Sequence, residues 1–184
     1  MPRWINFILA LWLLSFLWFP IVLIALLVTW TSPGPAIHWS TRVGRNNTLF
    51  KMPKFRTMRT DAPDIATHLL TESDRFVTPL GEILRKTSLD ELPQLWSILK
   101  GDMAFVGPRP ALHNQDDLIA LRIQKQVHTL IPGITGWAQI NGRDELSIPD
   151  KVELEVYYLN HHSFWLDINI LWKTLFAAGK GISH

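Results

Sequence analysis

From Trp4 to Ser32 the chain carries no charged side chain, and Leu, Ile, Val, Phe and Trp fill most positions. At about 1.5 Å per residue, such a run is long enough to cross a hydrocarbon core of about 30 Å. It is longer than the roughly 7–15-residue apolar region of a cleaved signal peptide, and Thr29-Trp30-Thr31 makes a poor cleavage site. Pro20, near the middle, lacks a backbone donor and clashes with the preceding turn, so it kinks or breaks a helix. The run therefore predicts either a kinked spanning helix or a hairpin that re-enters and leaves on one side. Arg42, Arg45, Lys51, Lys54, Arg56 and Arg59 follow it, which places the larger C-terminal part in the cytoplasm by the positive-inside tendency. The N-terminal side, with Arg3 alone, is left undetermined.

Thr31-Ser32-Pro33-Gly34-Pro35 is a cluster of helix breakers, dividing the chain into a membrane segment over 1–32 and a second domain over 33–184. Short strands are expected over 36–43 and 48–57, around the turn Gly44-Arg45-Asn46-Asn47. Residues 60–78 carry no clear period and read as loop with a helical patch. Leu92, Leu95, Trp96 and Leu99 recur at helical spacing, predicting a helix over 90–100 that ends at Gly101. Residues 104–111 read as an irregular Pro-rich turn. Ile119, Ile123, Val127 and Leu130 mark an amphipathic helix, 137–140 a short strand, and Ser147 with Pro149 the start of a helix over 149–161. The last segment, 163–178, puts Trp165, Ile168, Trp172 and Leu175 on one stripe with Asp167 and Thr174 opposite. That stripe reads either as a core-facing helix or as one lying in a membrane interface; the two Trp and Lys173 favour the second. The fold class is α/β, mainly helical.

Composition narrows the chemistry. A formal net charge of +2, spread along the chain, gives no basis for a nucleic-acid partner. With no Cys, there is no disulfide, thiolate nucleophile or Cys-based zinc site. Nine Trp suit a surface that is apolar on one side and wet on the other. The seven His show no metal-ligand spacing, and GxSxG, P-loop and GxGxxG patterns are absent. Among the acidic pairs, Asp90-Glu91 stands apart, because it opens an apolar helix with Arg85 and Lys86 before it and Pro93 after it. The pair can serve as helix caps, with Asp90 as N-cap or Ser88 and Glu91 as a capping box. It can also do chemistry. A carboxylate held as an anion at a helix start is a nucleophile toward phosphorus and a ligand for Mg²⁺. Such a site needs cations, and the candidates are Lys54 and Arg56 in KFRTM, Arg85, Arg109 in GPRP and Arg143 in NGRD.

The stretches RVGRNNTLFKMPKFRTM, LRKTSLDELPQLWSILKGDMAFVGPRP, PGITGWAQINGR and VELEVYYL, with the apolar run around Pro20, cover nearly the whole chain. They resemble the bacterial sugar transferase family, the monotopic phosphoglycosyl transferases that start glycoconjugate and exopolysaccharide synthesis. The resemblance implies a membrane-anchored monotopic domain with a re-entrant N-terminal helix broken at Pro20, interfacial amphipathic helices, and a catalytic domain on the cytoplasmic face of the bacterial inner membrane. It implies that Asp90 attacks the β-phosphate of a UDP-sugar, releasing UMP and holding the phosphosugar covalently. Polyprenyl (undecaprenyl) phosphate then takes the phosphosugar. Glu91 would assist as base or electrostatic support, Mg²⁺ would sit at Asp90, and Arg85 and Arg143 match positions linked to phosphate or substrate recognition. Lys54, Arg56 and Arg109 join the set by motif membership and charge. The chain departs from the pattern at Phe19, where the family often carries Ser, and at Asn6, near a family Asp. It reads as the minimal catalytic form, without a further N-terminal membrane domain, and leaves a homo-oligomer open. The competing readings are a non-catalytic membrane-interface protein that binds or assembles partners on the same fold, and another phosphoryl-transfer enzyme such as a lipid phosphatase.

Overall fold

The structure is a computed structural model and describes residues 1–62, 75–142 and 146–179. The charge-free run forms one helix, α1 (Arg3–Thr31), which continues through Pro20. Asn6, Ala10, Ile24 and Val28 are its buried residues, and Leu13, Leu14, Leu17 and Ile21 are packed beside them. This stripe recurs every three to four residues, so one face lies along the body of the protein. The opposite face leaves Trp4, Leu11, Trp12, Phe16, Trp18, Phe19 and Leu26 exposed. α1 is the one described helix long and apolar enough to cross a membrane.

Both halves of α1 are tied to the body. Near its start, the buried amide of Asn6 accepts from Phe105 N–H at 2.9 Å and donates to the carbonyls of Met1 and Pro2. Ala10 joins the main core with Met52, Leu95, Ile98, Phe105, Tyr158 and Ile170. Near its end, Ile24 and Val28 pack on Phe55 and Leu84.

After the junction comes an antiparallel hairpin, β1 (Ile37–Val43) and β2 (Leu49–Phe55), in which Trp39 faces Pro53 and Val43 faces Leu49. Its turn is a 3-10 segment, Arg45–Asn47, with Asn46 and Asn47 at positive φ, a conformation Asn tolerates. α2 (Pro79–Lys86) has Thr78 as N-cap, accepting from Gly81 N–H, with Pro at the first position.

The single helix expected over 90–100 is instead a 3-10 turn, Leu89–Gln94, followed by α3 (Leu95–Lys100). Pro93 lies inside the 3-10 turn, where its missing N–H and its ring do less harm than inside an α-helix. The segment read as a Pro-rich turn begins with β3 (Ala104–Val106), which pairs in parallel with β4 (Gly133–Thr135). The expected strand at 137–140 is the short helix α5 (Trp137–Ile140), and pairing falls just before it. Gly133 makes this possible: a Cβ there would lie 2.2 Å from Gly107 N, so only glycine admits the close approach.

The amphipathic pattern through Leu130 becomes α4 (Asp116–Gln124) and a 3-10 turn, Val127–Thr129, split at Gln126, whose φ is +62°. α6 (Ile148–His161) starts at Ser147, whose hydroxyl accepts from Asp150 N–H. In α7 (Phe164–Gly179), of the two orientations expected for the Trp stripe, the core-facing one does not form. Trp165 and Trp172 are 78% and 62% exposed, while Asp167 and Ile170 are buried. The inward face is satisfied by specific bonds, one from Tyr158 Oη to Asp167 and one between the hydroxyls of Thr135 and Thr174. The apolar stripe, with no such bonds to make, faces out.

Candidate active site

The dyad sits on the 3-10 turn Leu89–Gln94, which packs against β2, α2 and α3. Ser88 precedes it in the left-handed region, with φ +56° and ψ +17°, and its side chain makes no cap bond. Asp90 lies inside the turn rather than at its start. Neither capping arrangement expected from the sequence forms, so both carboxylates are directed to side-chain partners.

Those partners come from β2 and from the GPRP turn after β3. Lys54 Nζ donates to Glu91 Oε1 at 2.7 Å and lies 3.7 Å from Asp90 Oδ2. Arg109 Nη2 donates to the same Glu91 oxygen at 3.3 Å. Arg85, in the last turn of α2, donates from Nε to Thr57 Oγ1 at 2.9 Å, and its charge reaches Asp90. Asp90 is only 8% exposed. Burial raises its pKa above the ordinary carboxylate value, Lys54 draws it down, Glu91 pushes it up, and Arg109 and Arg85 draw it down further. Burial wins in spite of the three cations. The result is a desolvated carboxylate flanked by positive charge, the environment in which an anionic phosphorus electrophile can approach a carboxylate nucleophile.

The structure thus gathers Asp90, Glu91, Lys54, Arg109 and Arg85. Arg56 goes elsewhere. Its guanidinium is buried and donates to the carbonyls of Ser32 and Pro33 at 2.6 Å each, clamping the junction after α1. Arg143 and much of the loop 60–78 lie outside the described residues.

Two residues that the sequence reading did not single out adjoin the dyad. Arg42, on β1, lines a small cleft with Met52, Glu91, Gln94, Arg109 and Pro110, and Gln94 is buried. Arg42 opens the stretch RVGRNN, but as one of many basic residues it carried no distinguishing local signal.

As a test of a metal site, Asp90 and Glu91 offer hard oxygen donors side by side. No group of three or more His, Cys, Asp or Glu suited to a metal occurs among the described residues. A pair of carboxylates fits Mg²⁺, which usually keeps several waters and substrate phosphates in its shell and takes only one or two protein carboxylates.

Comparison with known proteins places these residues in context. The family model described as Bacterial sugar transferase matches residues 1–181. An uncharacterised sugar transferase of Bacillus subtilis, EpsL, is 46% identical over 144 residues, covering 77% of this chain and 69% of that protein. The UDP-glucose:undecaprenyl-phosphate glucose-1-phosphate transferase of Escherichia coli is 42% identical over 162 residues, 84% of this chain and 35% of that one. The undecaprenyl-phosphate galactose phosphotransferase of Salmonella typhimurium is 37% identical over 161 residues, 77% of this chain and 33% of its own length. The match therefore spans about a third of the second and third relatives.

Proposed function

The chain belongs to the bacterial sugar transferase family, and on that premise we propose that it moves a sugar 1-phosphate from a UDP-sugar to undecaprenyl phosphate and releases UMP. The observation that carries this reading is the buried Asp90 carboxylate, free of any capping role and ringed by Lys54, Arg109 and Arg85. In the first step an Asp90 oxygen attacks the β-phosphorus of the donor. The bond from that phosphorus to the bridging oxygen breaks, and its electron pair leaves with UMP. In the second step an oxygen of undecaprenyl phosphate attacks the same phosphorus and Asp90 departs, giving an undecaprenyl diphosphate sugar. Lys54 and Arg109 offset the negative charge that the diphosphate brings, and Glu91 holds both cations at the dyad. Mg²⁺ held by Asp90 would supply further neutralisation of the diphosphate. Relatives named for glucose and for galactose transfer leave the sugar to be found by assay.

The same reading places α1 as a re-entrant membrane helix bent at Pro20, with residues 33–184 as a monotopic catalytic domain on the cytoplasmic face. Its support is the attachment of α1 at both ends to that domain, through Asn6 to Phe105 and through Ile24 and Val28 to Phe55 and Leu84. A helix whose start is bonded to β3 stays on the side of the membrane where β3 lies. The outward apolar faces of α1 and α7 supply surface for the lipid.

The test follows UMP release from a panel of UDP-hexoses and UDP-N-acetylhexosamines, with undecaprenyl phosphate and Mg²⁺, in detergent or nanodiscs. Wild type should release UMP with at least one donor, and Asp90→Ala should not. Release of UDP would instead mean ordinary glycosyl transfer and would overturn the scheme. An Asp90→Ala variant as active as wild type would remove Asp90 from the chemistry.

A further inference from the structure

The turn Gly107-Pro108-Arg109-Pro110 brings Arg109 to Glu91, and its path is held in an unusual way. Four consecutive carbonyls each accept from a different donor. Gly133 N–H donates to Pro108 at 2.9 Å, Arg122 Nη2 to Arg109 at 3.0 Å, Arg42 Nη1 to Pro110 at 3.2 Å, and Val43 N–H to Ala111 at 2.9 Å. Of the two side-chain donors, Arg122 is the buried one. It projects from α4 and forms a two-pronged pair with Glu155 of α6, Nε to Oε2 at 2.8 Å and Nη2 to Oε1 at 2.5 Å. Arg122 and Glu155 are 8% and 2% exposed.

A pair this deep is a poor device for stability alone. Desolvating both ions offsets their attraction, and apolar residues of similar volume often serve as well or better. What it supplies is geometry. Two prongs on Glu155 fix the plane of the guanidinium, and that fixed plane directs Nη2 at the carbonyl of Arg109. We propose that Arg122 and Glu155 are positioning residues for transfer: Glu155 orients Arg122, Arg122 holds the Arg109 carbonyl, and the Arg109 guanidinium is thereby aimed at the dyad. The inference rests on the role given to Arg109 above. No local signal points to it, since the partners are 33 residues apart and come from different helices.

The test uses the full chain in detergent, assayed with the UDP-sugar found active in the panel. Arg122→Met/Glu155→Leu removes both charges while keeping most of the volume. Arg122→Lys keeps a charge beside Glu155 but loses the planar fork. Each should lower kcat/KM about tenfold or more, as expected when a substrate-contacting group is misplaced. The loss should divide between kcat and KM as it does for Arg109→Ala. It should also vanish in an Arg109→Ala background, where there is no guanidinium left to aim. A loss equally large in that background would show that the pair serves the fold generally and would overturn the inference, as would full kcat/KM in folded Arg122→Met/Glu155→Leu protein. An Arg109→Ala variant with wild-type kcat/KM would overturn the role of Arg109 itself, and this inference with it.

Discussion

Asn6→Ala probes the attachment on which the topology of α1 depends. Phe105 lies in β3 between Ala104 and Val106, the residues in register with β4, and its N–H turns away from that ladder to the Asn6 carbonyl oxygen at 2.9 Å. Removing the amide leaves this buried donor without its acceptor, at a cost of about 1–3 kcal/mol. The Met1 carbonyl also loses the Asn6 donor, worth about 1 kcal/mol, whereas the Pro2 carbonyl keeps the N–H groups of Ile5 and Asn6. The sum is about 2–4 kcal/mol, equivalent to a fall in Tm of roughly 4–16 °C for a chain of this size. Thermal melting in detergent measures it, and hydrogen exchange at Phe105 should rise in parallel. A Tm within a degree of wild type, with Phe105 still protected, would refute the reasoning, because the start of α1 would then be held by something other than this amide.

Other outcomes follow from the same geometry. Asp90→Asn should abolish UMP release yet raise Tm near neutral pH, because it removes an ionised carboxylate whose burial is unfavourable. The sign is fixed by the raised pKa: the wild-type fold is penalised as pH climbs through the folded-state value, so the gain should shrink on acidification and vanish below about pH 4, where the unfolded Asp is protonated too. Ser88→Gly relieves a left-handed residue just before the dyad and should stabilise by about 1 kcal/mol, read from denaturant midpoints. Because the chain has no Cys, Pro2→Cys creates a single labelling site at the start of α1. A membrane-impermeant maleimide should reach it in inside-out vesicles and not in right-side-out ones; the opposite result would mean that α1 crosses the membrane completely.

The elements with strong local grammar were legible in the sequence. The charge-free run gave α1, the Asn-containing turn gave the β1–β2 hairpin, and Ser147 with Pro149 gave the start of α6. α2 has an ordinary start signal in Thr78 and Pro79, but its eight residues are too few to establish a helical period after the unpatterned stretch before it. The parallel β3–β4 pair had no such grammar: each strand has three residues, and their pairing depends on glycines meeting across a long connection. The Trp stripe of α7 gave the right period but not its direction, since burial of Asp167 through its bond from Tyr158 reverses the usual sense of amphipathicity. At the site, motif membership named Asp90, Glu91, Lys54, Arg85 and Arg109, which do converge. It could not tell that Arg56 turns to the α1 junction: a continued strand would put it on the same face as Lys54, but β2 ends at Phe55 and the alternation ends with it. Arg122 and Glu155 needed the fold to meet at all.

The clamping of the GPRP turn by its carbonyls has a consequence for how the site can be altered. A turn fastened through its main chain owes little of its shape to the side chain it displays, so position 109 behaves like a socket. Exchanging Arg109 for Lys, Gln or His changes the instrument mounted there and leaves the mounting where it was. A series at that single position therefore compares chemical groups delivered from one fixed point, and it offers a place to retune donor preference without rebuilding the scaffold.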